Sequence, residues 1–426
     1  MAHLTHFHRT IVGLLVLFAL GACGTTCQQI QQQRTRFLAR EGADNQPHLS
    51  LDLAFPVLDA LLAEHVGELP DIPVPDPVGG ALKRHLGPIK LVPRALALRP
   101  APDGFVGLRL HLAVDVDGAS PVDVVADLHL RPQVEDEGRR LVLTLRGEDL
   151  SDVRPRITED GAKRLAEALR RKVPRAARAL ISTHAFRSAA NRIIDLAVDR
   201  TYAAFREGAL RRLGRVTQIA ISLPDLPLAQ VRISSVGGSE GVLRVGIVTT
   251  LPVRRGLRPS GQPCPFAGAA AVLRVSGSTV TELANWAIAK GHIPAHYDEK
   301  GRADTAGPFE AALVWREGSR PFEVQVWRLT EPCLWARLAG TPHLRVRADE
   351  LVAGVDDMKL EEVRGPALYE LGAHFYALFG PTFAFTRATA NAFRVEVGGG
   401  KALVWTLTDA SVTDGDVVLR SQAKGL

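Results

Sequence analysis

Between Val106 and Leu145 the chain alternates apolar and polar residues with a period of two, over runs too long for any other element. Val106, Leu108, Leu110, Leu112, Val114 and Val116 fall to one side, with Gly107, Arg109, His111, Ala113, Asp115 and Asp117 on the other. Val122, Val124, Ala126, Leu128 and Leu130 repeat the pattern, as do Leu141, Leu143 and Leu145. A period of two belongs to a strand. One apolar face and one wet face mark an antiparallel sheet that is covered on one side only. Residues 118–121 and 135–138, rich in Gly, Ser, Pro and acids, supply the turns.

A different pattern comes before this series. Leu49, Leu51 and Leu53 alternate as a short strand, and then Val57, Leu58, Leu61, Leu62 and Val66 recur at spacings of three and four. That spacing predicts an amphipathic helix over Phe55–Leu69, stopped by Pro70, Pro73, Pro75 and Pro77. Residues 158–213 read as helix, kinked at Pro174 and closed by Gly214. Strands resume at Ile219, Val231 and Leu243. Residues 257–270 (LRPSGQPCPFAGAA) are rich in Pro, Gly and small residues and mark a boundary.

The second half has the same order. Val272–Val275 reads as a strand and Ser278–Lys290 as a helix ending at Gly291. Strands follow at Phe309, Phe322 and Leu344, then a helix over Pro366–Leu378, then strands at Phe393, Leu403 and Val417. Leu49–Gly67 and Val272–Gly291 are thus two copies of one plan.

On these residues the chain resembles the tubular lipid-binding superfamily, which includes bactericidal/permeability-increasing protein. The resemblance covers residues 48–426 and rests on element order. It implies an α+β fold of two tandem modules, each a long curved antiparallel sheet wrapped around an amphipathic helix. The modules fall at residues 48–256 and 271–426, joined by a linker over 257–270. It also implies a lipid ligand (phospholipid, fatty acid or lipopolysaccharide) in an apolar groove. The groove residues would be Val57, Leu58, Leu61, Leu62, Ile193, Ile194, Ala197, Phe205, Leu283, Trp286 and Ala287. The many alanines on the helix faces leave room for acyl chains, which gain about 0.8 kcal/mol per buried CH₂. The same residues also suit a closed core.

The N-terminus adds a second resemblance. His6, His8 and Arg9 precede the apolar run Ile11–Leu20, which leads into Leu20-Gly21-Ala22-Cys23. A basic stretch, an apolar run of about 10 residues and small residues before the cut have the form of a secretory signal. With Cys23 in place, residues 1–22 resemble a bacterial lipoprotein signal. That implies acylation of Cys23 and anchoring to a membrane of the cell envelope. Gly24 after it fits outer-membrane sorting, with the body facing the periplasm or the cell surface. Residues 23–47, Gln-rich, read as a lipidated tether with room for a short helical piece, reaching roughly 80 Å when extended. Cys27 falls in this tether. Cys264 and Cys333 remain as candidates for a disulfide, which an exported protein is free to form.

Charge and motifs narrow the function further. The formal net charge is +6, and residues 161–215 hold fourteen Lys or Arg against four acids. Arg170, Arg171 and Arg212 are the candidates for anionic head groups, and an exported chain is not expected to meet nucleic acid. The chain shows no nucleophile elbow, no phosphate-binding Gly-rich loop and no zinc spacing. The loop residues His292, His296, Asp298 and Asp304 form the only polar group with metal-ligand character. No enzyme, cofactor or metal site is expected, and nothing names a protein partner. The expected function is lipid binding or transfer by an envelope lipoprotein. The alternative is a structural or interaction lipoprotein without a ligand.

Overall fold

A computed structural model describes residues 26–39, 42, 46–66, 72–73, 89–101, 105–116, 122–144, 156–157, 160, 219–222, 231–239, 241–257, 268–300, 302–348, 350–366, 383–397, 401–413 and 415–424. Sheet dominates among them, and every strand pairing is antiparallel. The helices are α1 (Cys27–Leu38), α2 (Phe55–Val66) and α3 (Gly277–Ala289). The sequence-predicted helices at 158–213 and 366–378 lie almost wholly outside the described residues.

The centre is a seven-stranded sheet. Its members are β1 (Leu49–Ala54), β9 (Val231–Ser239), β10 (Val242–Thr249), β11 (Ala271–Ser276), β18 (Ala392–Val397), β19 (Lys401–Thr413) and β20 (Asp416–Lys424). The order is β18-β19-β20-β11-β1-β10-β9. The two halves of the chain meet where β1 pairs with β11, from Leu49↔Val275 to Leu53↔Ala271. Each of these two strands runs directly into a helix, β1 into α2 and β11 into α3. Asp52 and Arg274 hold equivalent places, just ahead of those helices, with opposite charge. Asp52, 1% exposed, accepts from Arg244 Nε and Nη2, both at 2.9 Å. Arg274 donates to Asp416 at 2.8 Å.

A second sheet comes from the first half: β2 (Ile72–Pro73), β3 (Ile89–Arg99), β4 (Val106–Val116), β5 (Val122–Glu135), β6 (Arg140–Thr144) and β8 (Ile219–Ser222) follow in that order, with β7 (Arg156–Ile157) pairing β5. A third comes from the second half: β12 (His296–Tyr297), β13 (Phe309–Trp315), β14 (Phe322–Arg328), β15 (Leu334–Arg347), β16 (Glu350–Arg364) and β17 (Phe383–Ala390). Register shifts in β3, β15, β16 and β19 bend these ladders. The sequence pattern does not show β3, because Pro93 interrupts it. The chain tolerates that proline at a register shift between Pro93 and Ala95, where the ladder is already broken.

In both outer sheets the first full-length strand, β3 or β13, pairs along one edge with only two residues among those described. A helix side chain caps that edge in each case. Asp59 of α2 accepts from the Leu98 amide of β3 at 2.5 Å. Asn285 of α3 takes both backbone groups of Leu313 on β13, donating to the carbonyl and accepting from the amide at 2.8 Å each. This satisfies polar groups that would be costly to leave unpaired.

The main core lies between the N-terminal outer sheet and the central sheet. Leu96, Leu98, Val106, Leu108, Leu110, Leu112, Leu128, Leu130, Leu141 and Leu143 meet Leu53, Phe55, Leu58, Leu243, Val245 and Ile247 there.

Candidate functional site

One strand of the C-terminal outer sheet buries polar side chains where an ordinary strand layer buries apolar ones. Along β14 the buried positions are Glu323, Gln325 and Trp327, while Phe322, Val324, Val326 and Arg328 are half-buried. The register lays the half-buried residues of β14 in rows with those of its neighbours. One row is Phe309, Arg328 and Leu334; the next is Ala311, Val326, Ala336 and Val363. A third row is Leu313, Val324, Leu338 and Leu360, and a fourth is Trp315, Phe322 and Gly340. All of these positions except Arg328 are apolar or Gly, and all but Val363 and Gly340 are half-buried. Helix α3 lies beside the β13 edge of this face, and the Trp315 indole occupies the space that a side chain at Gly277 would need.

The reverse face carries charge and the N-terminal helix. Glu323 is buried beside Arg316 and Arg337, which continues to Glu361 and Glu362. Burial pushes the Glu323 carboxyl above its ordinary value, against the two guanidinium groups, which pull it down. Further along this face α1 is docked by Cys27, Ile30, Arg34 and Phe37, one side of a helix at spacings of three and four. Ile30 is fully buried with Ala312, Trp327 and Trp335, Phe37 meets Trp327 with ring centroids 5.1 Å apart, and Arg34 pairs with Glu310 at 2.5 Å. Cys27 is bonded to Cys333.

That bridge corrects the expected pairing of Cys264 with Cys333, since Cys333 has one sulfur and Cys27 holds it. The Gln-rich composition of residues 23–47 conceals that partner. Thr26 and Gln29 form a capping box, a signal of helix start that the sequence does contain.

The other sequence-predicted site residues fall into three groups. Leu283, Trp286 and Ala287 are half-buried on α3, which packs against β13. Leu58 belongs to the closed core, with Val57 packed against it. Leu61 and Leu62 are on α2, with side chains outside the described set, and Cys23, Cys264, Arg170, Arg171, Arg212, Ile193, Ile194, Ala197 and Phe205 lie outside the described residues. The apolar wall of β13–β16 was missed as a site. Its alternation is plain in the sequence, but alternation does not say whether a face is covered.

The polar loop does not gather into a metal site. Asp298 accepts from the Lys300 and Arg302 amides at 2.8 and 2.9 Å and pairs with the Arg302 side chain. The Arg302 amide leads the interactions that hold its carboxyl below the ordinary value. His292 stacks on Trp286. Among the described residues no group of three His, Cys, Asp or Glu is placed to hold a metal, and no helix is long and apolar enough to cross a membrane.

No protein-family model and no curated protein sequence matches the chain. Among solved structures, the chain is similar to P47 of Clostridium botulinum E1 at TM-score 0.39 and 8% identity, covering 89% of this chain and 100% of that one. P47 from Clostridium botulinum A2 gives TM-score 0.36 and 9% identity over 88% of this chain and 97% of that chain. A lipopolysaccharide binding protein gives TM-score 0.25 and 8% identity over 89% and 99%. Likenesses this distant carry no functional weight.

Proposed function

We propose that this chain is a lipid-binding lipoprotein of the cell envelope, and that an acyl chain lies on the β13–β16 face beside α3. The inverted alternation of β14 carries this reading: the strand buries Glu323 and Gln325 and leaves Val324 and Val326 accessible. An apolar layer left half-buried is unfavourable in water and suits an apolar occupant. Seven-residue strands extend about 20 Å, enough to lie along a long acyl chain. Each buried CH₂ contributes about 0.8 kcal/mol. In this reading the two halves are modules of one design, Cys23 anchors the body, and Arg170, Arg171 and Arg212 meet anionic head groups.

The closed N-terminal core supports a division of labour. Leu108, Leu110 and Leu112 are each 1% exposed, so this part of the first sheet acts as scaffold. The test is uptake of a fluorescent phospholipid from vesicles by residues 24–426, exported behind a cleavable secretory signal. Uptake that falls when Arg170, Arg171 and Arg212 become Glu supports both parts of the proposal. No uptake by the unaltered chain favours a ligand-free structural or interaction role.

A further inference from the structure

We propose that the Cys27–Cys333 bridge makes α1 a short strut, which holds the Phe309–Arg328–Leu334 end of the apolar face toward the bilayer, so that the acyl chain passes in at that end. The inference rests on the lipid-binding reading and on the Cys23 anchor. Four residue steps separate Cys23 from Cys27, which limits the reach from anchor to helix to about 14 Å. From Cys27 onward the chain is fixed to the body by the disulfide, the buried Ile30, the Arg34–Glu310 pair and the Phe37–Trp327 contact. Cys333 directly precedes Leu334, the first residue of β15. The anchor therefore arrives at one particular end of the sheet.

The two ends of the face differ. At the far end the Trp315 ring abuts Gly277 and meets Phe322 edge-on, and Glu317 pairs with Arg255 from the segment after β10. That end is joined to the centre of the molecule. The end at Leu334 is the one opposite, next to the exposed turn that holds Thr330. Arg328 stands over the Phe309 ring there, 5.6 Å from its centroid.

The test uses the full acylated chain in vesicles of phosphatidylcholine and phosphatidylglycerol. A photo-crosslinking benzoylphenylalanine replaces either Thr330 or Ser319, exposed residues in turns at opposite ends of β14. Thr330 is expected to yield several-fold more phospholipid adduct than Ser319, and this preference is expected to shrink on reduction or in Cys27→Ser/Cys333→Ser. Equal adducts from the two sites with the bridge intact would overturn the strut, as would a preference that ignores its loss. A Cys23→Ser chain that still floats with the vesicles would overturn the anchor itself. Retained adducts at Thr330 with no lipid uptake by the protein would overturn acyl-chain entry at that end and the lipid-binding reading, leaving only the orientation.

Discussion

Asp59 shows how a single side chain joins two elements at a cost that depends on pH. Its carboxylate caps the Leu98 amide, and burial pushes its pKa above the ordinary value, opposed by that same hydrogen bond and by Arg99. A raised folded-state pKa means that the folded chain holds the proton more tightly than the unfolded one. The stability from this site is then full below about pH 3.9, the unfolded value, and is lost as pH rises through the higher folded value. Asp59→Asn keeps an acceptor for Leu98 without the charge. Its melting temperature at pH 7 is expected to equal or exceed that of the parent, with the difference closing below pH 4. A clear drop at pH 7 would show that the charge itself is needed for the cap.

At the level of elements, the helix-capped strand edge recurs in both halves, and Asn285 is its second instance. Asn285→Leu removes both bonds to Leu313 and leaves a backbone donor and acceptor facing a side chain of similar size. A loss of roughly 1–3 kcal/mol is expected in denaturant unfolding, and an unchanged midpoint would mean that water replaces the cap freely. Elements with an uninterrupted period were legible in the sequence: β4, β13 and β14 by alternation, α2 and α3 by spacings of three and four. The less legible ones each have a physical reason. Pro93 breaks the pattern of β3. Strand β16 carries Asp356, Asp357, Lys359, Glu361 and Glu362 among its apolar residues, so its alternation is diluted. Helix α1 gains its hold from Cys27, Ile30, Arg34 and Phe37, four residues scattered through glutamines, and a bridge across 306 residues is a matter of tertiary structure alone. The helix half of the candidate site, Leu283, Trp286 and Ala287, was readable from periodicity. The sheet half depends on what covers a face, which no local pattern records.

Across the whole molecule, two related sheets use their apolar faces differently. The described part of the first is walled by leucines that fill the space against the central sheet, with Val106, Leu130, Leu141 and Leu143 fully buried. The second mixes Ala311, Ala336, Val324 and Val326 into its wall and keeps them half-buried. The first sheet thus acts as a scaffold, and the second carries the groove proposed above. Native mass spectrometry with lipid extraction tests this most directly, on residues 24–426 and on two variants, Ala336→Phe and Leu110→Ala. Bound acyl lipid at a fixed stoichiometry is expected on the parent chain and lost in Ala336→Phe. Leu110→Ala should keep its lipid while losing about 2–5 kcal/mol of stability from the core. A lipid-free parent chain, or lipid that stays in Ala336→Phe and leaves in Leu110→Ala, would contradict the assignment of the groove to the C-terminal sheet.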